Sequence, residues 1–182
     1  ANIAPGINRE FAADKWANLP KKLWWDARKE AYDVMLERDL NICGSDIDKK
    51  SIRLSRENAG KADVDKYINF KTMPMEEINP SSKFGCIICN PPYGQRIGEL
   101  KEVEELYREM GKVFRDLDTW SYYIITSHED FENLFGKKAS KNRKMYNGMI
   151  KCYYYQYFGP RPPKGDRSNF IRNREPRIHL QK

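Results

Sequence analysis

The stretch Cys86-Ile87-Ile88-Cys89-Asn90-Pro91-Pro92-Tyr93-Gly94 drives an apolar segment straight into an amide, two prolines and an aromatic ring. Phe84 to Cys89 lacks polar alternation, the pattern of a central parallel strand covered on both faces. In open α/β sheets ligands bind beyond the carboxyl ends of the strands, so a turn at this point is where chemistry is staged. Prolines at 91 and 92 fix φ and remove two N–H donors, which lets their carbonyls be aimed outward in a stiff geometry. Tyr93 adds a flat face for stacking. The Asn90 side-chain oxygen and the Pro91 carbonyl can then accept both N–H bonds of an exocyclic amine on a planar ring. Such an amine is a poor nucleophile because its lone pair is delocalised into the ring. Hydrogen bonds that favour a pyramidal nitrogen, and the charge developing on it, lower that barrier by positioning and preorganised electrostatics. No catalytic Ser, Cys or His is required. The plain alternative is a proline-rich turn without chemistry.

Working outward, Asp26 to Leu36 places Ala27, Ala31, Val34 and Met35 at helical spacing with Asp26 as N-cap. "LNICGSDID" reads as a short strand ending in a Gly44-Ser45 turn, and "KKSIRLSRENAG" as a helix closed by Gly60. "KYINFKTM" is a second strand and "FGCIIC" a third. After the Asn-Pro-Pro-Tyr turn, Leu100, Val103, Leu106, Met110, Val113 and Phe114 form one stripe of the longest helix. "TWSYYIITS" is a further strand and "EDFENLFG" a short helix ending at Gly136. Asn147-Gly148, between two tyrosine-rich β-prone runs, is a hairpin signal. This order predicts an α/β, Rossmann-like fold, with a mostly parallel sheet closed by a C-terminal antiparallel hairpin. Residues 164–182 read as a basic extended tail and residues 1–163 as the domain.

The 182 residues suffice for a core without metal or disulfides. No apolar run approaches the roughly 20 residues of a membrane span, and the N-terminus has no secretory pattern, so the chain reads as cytosolic. The net charge of +7 is concentrated between Lys137 and Arg177. That patch is either solvated surface or a phosphate-tracking face. Cys86 and Cys89 form a CxxC, yet residues three apart on a strand point to opposite faces, and His128 and His179 stand alone, so no metal is expected.

"NPPYG" after "FGCIIC" resembles the signature of class I methyltransferases that use S-adenosylmethionine to modify exocyclic amines of adenine or guanine. With "NIAPGINREF", "CGSDID" and the run from Tyr122 to Pro163, the chain resembles the THUMP-containing ribosomal RNA guanine-N2 methyltransferases, the RlmL-like and YpsC-like group. The resemblance implies that Asn90, Pro91, Pro92 and Tyr93 form the amine and base site. It implies that Asp46 binds the cofactor ribose, with Ile47, Asp48, Met75 and Asn90 completing the cofactor site. A carboxylate at Asp46 can accept from both ribose hydroxyls, and one of Asp46 and Asp48 also suits the N-cap of the following helix. Lys141, Arg143 and Lys144 become a basic loop for RNA phosphate.

Two departures from the family follow. Its glycine-rich loop comes immediately before the "NIAPG" segment and is missing here, so either the sequence is a fragment of a longer protein or the sheet lacks its first strand, and the THUMP and ferredoxin-like RNA-capturing domains that precede the catalytic domain in the family are missing too. Pro74 stands where many relatives carry an Asp for the adenine amino group, which leaves that bond to Glu76 or to none, with Met75 packing on the adenine. Guanine N2 in ribosomal RNA is the expected target. Adenine N6 in RNA or DNA is the alternative of the same chemistry, and a non-catalytic RNA-binding module the alternative of another class.

Overall fold

The computed structural model describes residues 1–94 and 99–163, with the side chain of Glu99 left out. They fall into two compact units, Ala1–Ile78 and Asn79 onward.

In the first unit, helix α1 (Lys21–Asp33) is followed by strand β1 (Ile42–Asp46), helix α2 (Lys49–Lys61) and strand β2 (Ile68–Thr72). The strands pair in parallel from Ile42↔Ile68 to Asp46↔Thr72, the βαβ arrangement that the alternation predicts. The sequence reading misplaced three boundaries. Helix α1 begins five residues before Asp26, behind Pro20, so Asp26 is an exposed mid-helix residue and not the cap. Its covered side carries Trp24, Arg28 and Ala31, and Arg28 is drawn in by the carbonyls of Ile7 (2.7 Å) and Arg9 (3.0 Å) and by Asp14 (3.1 Å). Gly44 and Ser45 lie inside β1 and do not turn. A Cβ on Gly44 would stand 2.9 Å from the Phe70 ring, so glycine there serves the close packing of β1 on β2. Gly60 falls in the last turn of α2, and Ala62 is the cap.

The second unit contains β3 (Gly85–Cys89), α3 (Glu99–Arg115), β4 (Trp120–Thr126), α4 (Phe131–Phe135), β5 (Lys141–Asn147) and β6 (Ile150–Tyr157). Its sheet has the order β3-β4-β6-β5, with β3 parallel to β4, and β6 antiparallel to both β4 and β5. The fold is thus α/β with parallel pairs and an antiparallel hairpin, as expected. Among the described residues of this sheet β3 stands at the end beside β4, with Ile88 76% exposed.

Helices α3 and α4 cover one face of the sheet through a nearly continuous aromatic core. Phe114 stacks on Tyr122 at 5.1 Å, Phe131 meets Tyr155 at 4.9 Å, and Phe135 meets Tyr157 at 4.9 Å. Truncating one of these rings to alanine should cost about 3–5 kcal/mol. The buried stripe of α3 is Val103, Tyr107, Met110 and Phe114, whereas Leu100 is exposed. Gly111 lets α4 approach: a Cβ there would stand 2.1 Å from the Phe135 carbonyl oxygen. Gly136 ends α4 in the left-handed region, φ 73°, as predicted. Among the described residues no helix is long and apolar enough to cross a membrane, and no cluster of His, Cys, Asp and Glu could hold a metal ion. The expected tail lies outside the described residues.

Candidate active site

Because β1 and β2 run in parallel, their carboxyl ends share one edge, and the first unit's site residues gather there. Asp46 ends β1, Ile47 follows it 76% exposed, and Met75 opens a single 3-10 turn just after β2. The Met73 N–H donates to the Asp46 carbonyl (3.0 Å), which ties the two strand ends together. The neighbouring carboxylates have separate tasks. Asp48 is the N-cap of α2, accepting from the N–H groups of Lys50 (3.0 Å) and Ser51 (3.1 Å) and from the Ser51 hydroxyl (3.0 Å). The Lys50 N–H first, then the Ser51 hydroxyl, holds the Asp48 carboxyl below its usual range. Asp46 spends one oxygen on the Asp48 N–H (2.8 Å), and its other oxygen takes no hydrogen bond from the described residues. Such a carboxylate, exposed at a strand end, fits a ribose diol in its chemistry.

In the second unit, Asn90 to Tyr93 emerge from the carboxyl end of β3. The Tyr93 hydroxyl donates to Asn90 Oδ1 at 2.7 Å, fixing the carboxamide oxygen and leaving it a second lone pair. The Tyr93 phenol also faces Cys152 and Asn147, and burial, with Cys152 next, raises its pKa. The sequence reading gave Tyr93 a stacking face; its bond to Asn90 is an added feature of the structure.

A second tyrosine holds the turn from behind. The Tyr107 hydroxyl lies 2.7 Å from the Pro92 carbonyl oxygen and 2.7 Å from Thr126 Oγ1. A carbonyl can only accept, so the single phenol proton goes to Pro92 and Thr126 must donate to Tyr107. Thr126 Oγ1 in turn accepts from the His128 N–H at 3.1 Å. The result is a one-way chain from β4 through α3 to the turn, with Tyr107 and Thr126 both 0% exposed. Burial pushes the Tyr107 phenol up to about 12 and the Cys89 thiol to about 12. Pro91, whose carbonyl the sequence reading assigns to the amine, has no such tether among the described residues. Tyr107 was missed because the apolar stripe read in the sequence takes Leu106 and Met110 and leaves it out; its hydroxyl pointing to the turn is visible only in three dimensions.

The basic residues also change place. Lys141, Arg143 and Lys144 form part of strand β5 and not a loop. The hairpin ladder reaches Lys141↔Gln156, which extends the strand back through them. By strand alternation Lys141 and Arg143 share one face and Lys144 takes the other. All three are exposed. Cys86 and Cys89 are free, and their unequal exposure agrees with opposite strand faces.

The model of the RMKL-like methyltransferase domain family matches residues 1–156. A Bacillus subtilis (strain 168) protein with the name "Putative RNA methyltransferase YpsC" is 45% identical over 164 residues, 90% of this chain and 43% of its own. The ribosomal RNA large subunit methyltransferase K/L of Legionella pneumophila (strain Corby) is 32% identical, over 100% of this chain and 28% of its own. The chain therefore spans less than half the length of these curated relatives. Two solved structures share its fold. One, "a putative methyltransferase complexed with SAH", has a TM-score of 0.82 at 39% identity, over 89% of this chain and 43% of its own. The other, a "predicted N6-adenine-specific DNA methylase" from Listeria monocytogenes, has a TM-score of 0.80 at 43% identity, over 87% of this chain and 41% of its own. With the match running from the first residue through most of β6, the chain belongs to the RMKL-like methyltransferase domain family.

Proposed function

We propose that this chain is the catalytic part of an enzyme that methylates the N2 amine of a guanine in ribosomal RNA, with S-adenosylmethionine as methyl donor. The observation that carries the reading is the Asn90–Tyr93 turn: two acceptor oxygens on a frame that Tyr93 and Tyr107 hold from two sides. Support comes from the names of the Bacillus and Legionella relatives and from the relative solved with SAH, the product left when S-adenosylmethionine gives up its methyl group. In the whole protein a THUMP module would capture the RNA and this domain would perform the transfer.

Bound S-adenosylmethionine supplies an electrophilic methyl group on a sulfonium sulfur. Asp46 accepts from the ribose hydroxyls, and Ile47 and Met75 pack against the adenine. Asp48 fixes the start of α2 and so steadies the Asp46 edge. Asn90 Oδ1 and the Pro91 carbonyl accept the two N–H bonds of the target amine, directing its lone pair away from the ring. Pro91 and Pro92 keep that geometry stiff, and Tyr93 both orients Asn90 and stacks on the base. Lys141 and Arg143 contact RNA phosphate on one face of β5 and Lys144 on the other.

A second reading, adenine N6 as target, is favoured by the name of the Listeria relative and by the fact that the same turn suits both amines. Mass spectrometry of ribosomal RNA nucleosides from cells lacking the full-length gene separates the two. Loss of N2-methylguanosine, restored by wild type and not by Asn90→Ala, supports the guanine enzyme. Loss of N6-methyladenosine instead moves the target to adenine. No change in either rejects methylation of ribosomal RNA.

A further inference from the structure

We propose that the β5–β6 hairpin is a finger that enters the RNA beside the Asn-Pro-Pro-Tyr turn, with Met149 filling the space that the target base leaves in its stack. This rests on the methyl-transfer reading above and adds the device by which the base is reached.

The topology puts the tip at the working edge of the sheet. Since β6 is antiparallel to both β4 and β5, β5 runs in the direction of β3 and β4. Its last residue, Asn147, therefore lies at the edge where β3 delivers Asn90. The side chains of Asn147 and Cys152 both face the Tyr93 hydroxyl, so the hairpin adjoins the turn. The hairpin also outruns its neighbour. Thr126, the last residue of β4, pairs with Tyr153, which leaves Ile150, Lys151 and Cys152 beyond it. At roughly 3.3 Å per residue the ladder stands about 10 Å above the end of β4. Pairing from Lys141↔Gln156 to Asn147↔Ile150 is unbroken, so the projection is stiff.

The tip has the wrong chemistry for a simple solvated turn. Gly148, with φ 62°, occupies the first position of a two-residue loop, which keeps the end narrow. The second position is Met149, 98% exposed, flanked by Tyr146 at 65% and Met145 at 44%. Cations back this apolar end: Lys144 lies 5.8 Å from the Tyr146 ring, and Lys151, ion-paired with Glu129 at 2.6 Å, lies 5.3 Å from the Tyr153 ring. An apolar point above lysines suits an occupant with stacked apolar interiors and an anionic exterior, which is nucleic acid. A base inside a helix cannot reach the turn without leaving its stack, and unstacking costs a few kcal/mol. Apolar wedges, methionine among them, are inserted between base steps to offset that cost. The unbranched thioether adapts to the irregular gap.

Full-length enzyme would be assayed with tritiated S-adenosylmethionine on ribosomal RNA from cells lacking the gene, folded with magnesium or heat-unfolded. Met149→Ala should lower kcat/KM on folded RNA about tenfold, equivalent to about 1.4 kcal/mol, and leave the unfolded RNA within about twofold of wild type. Met149→Leu should restore the folded substrate. Equal loss on both forms, or no loss on the folded form, overturns the finger while methyl transfer stands. If wild-type enzyme labels neither RNA, the methyl-transfer reading fails and the finger with it.

Discussion

The Tyr107 hydroxyl reaches the Pro92 carbonyl across 2.7 Å, joining the middle of α3 to the turn that leaves β3. Its aromatic ring alone would satisfy the core, since it meets Phe131 edge-on at 4.9 Å. The hydroxyl adds a fixed back wall to the turn.

Tyr107→Phe should therefore keep the core and strand the Pro92 carbonyl. The substitution also removes the acceptor of the Thr126 hydroxyl, which is 0% exposed, and an unsatisfied buried polar group costs about 1–3 kcal/mol, so the melting temperature should fall. Steady-state kinetics should show kcat about tenfold lower with KM for S-adenosylmethionine unchanged, because the loss is confined to the amine site. Thr126→Val, which leaves the Tyr107–Pro92 bond in place, should affect kcat less. A melting shift with unchanged kcat would make the contact purely structural.

Asn90→Ala should abolish transfer while calorimetry still detects cofactor binding. The two roles of Tyr93 separate by substitution. Tyr93→Phe retains the ring and releases Asn90, lowering kcat, whereas Tyr93→Ala should in addition weaken RNA capture by about 1–3 kcal/mol of stacking. Equal kinetics for the two variants would remove the stacking role.

The division of cations on β5 can be read from salt dependence. Lys141→Ala with Arg143→Ala should reduce the slope of log affinity against log salt by up to about 2, and Lys144→Ala by up to about 1. Contacts on opposite faces should contribute additively in the triple variant. An unchanged slope would return the strand to ordinary solvated surface.

Asp46 and Asp48 should fail differently. Asp46→Ala should raise KM for S-adenosylmethionine with little change in melting, and Asp48→Ala should lower the melting temperature, with Asp48→Asn recovering most of it. The Asp48 carboxyl is held below its ordinary range in the fold. Its stabilising effect is therefore complete above the unfolded value of about 3.9 and fades as pH falls through the lower folded value. Acid titration of wild type against Asp48→Asn, followed by circular dichroism, measures that difference.

Much of this was legible in the sequence because it depends on short-range rules. The strand before Asn90, the Gly136 cap and the Asn147-Gly148 hairpin follow from local pattern and turn chemistry. The errors arose where a distant partner overrides the local signal. Arg28 was drawn onto the covered side of α1 by carbonyls far along the chain, and Gly44 was kept in a strand by Phe70. The cations of "KKASKNRK" were read as a loop since nothing nearby announces the strand that pairs with Tyr153 to Gln156. Tyr107 was hidden for another reason: it lies beside the apolar stripe read in α3, and periodicity does not record what a hydroxyl meets.

The raised phenol and thiol around the turn have a last consequence, for the proton that the reaction must shed. A methylated amine leaves transfer carrying a positive charge, and one N–H must ionise before the product is neutral. Tyr107 and Cys89 hold their own protons up to about pH 12, and Tyr93 is shifted in the same direction. These groups are therefore protonated at neutral pH and offer the product cation no base. On the proposed methyl-transfer reading, the proton passes to solvent water and not to these side chains.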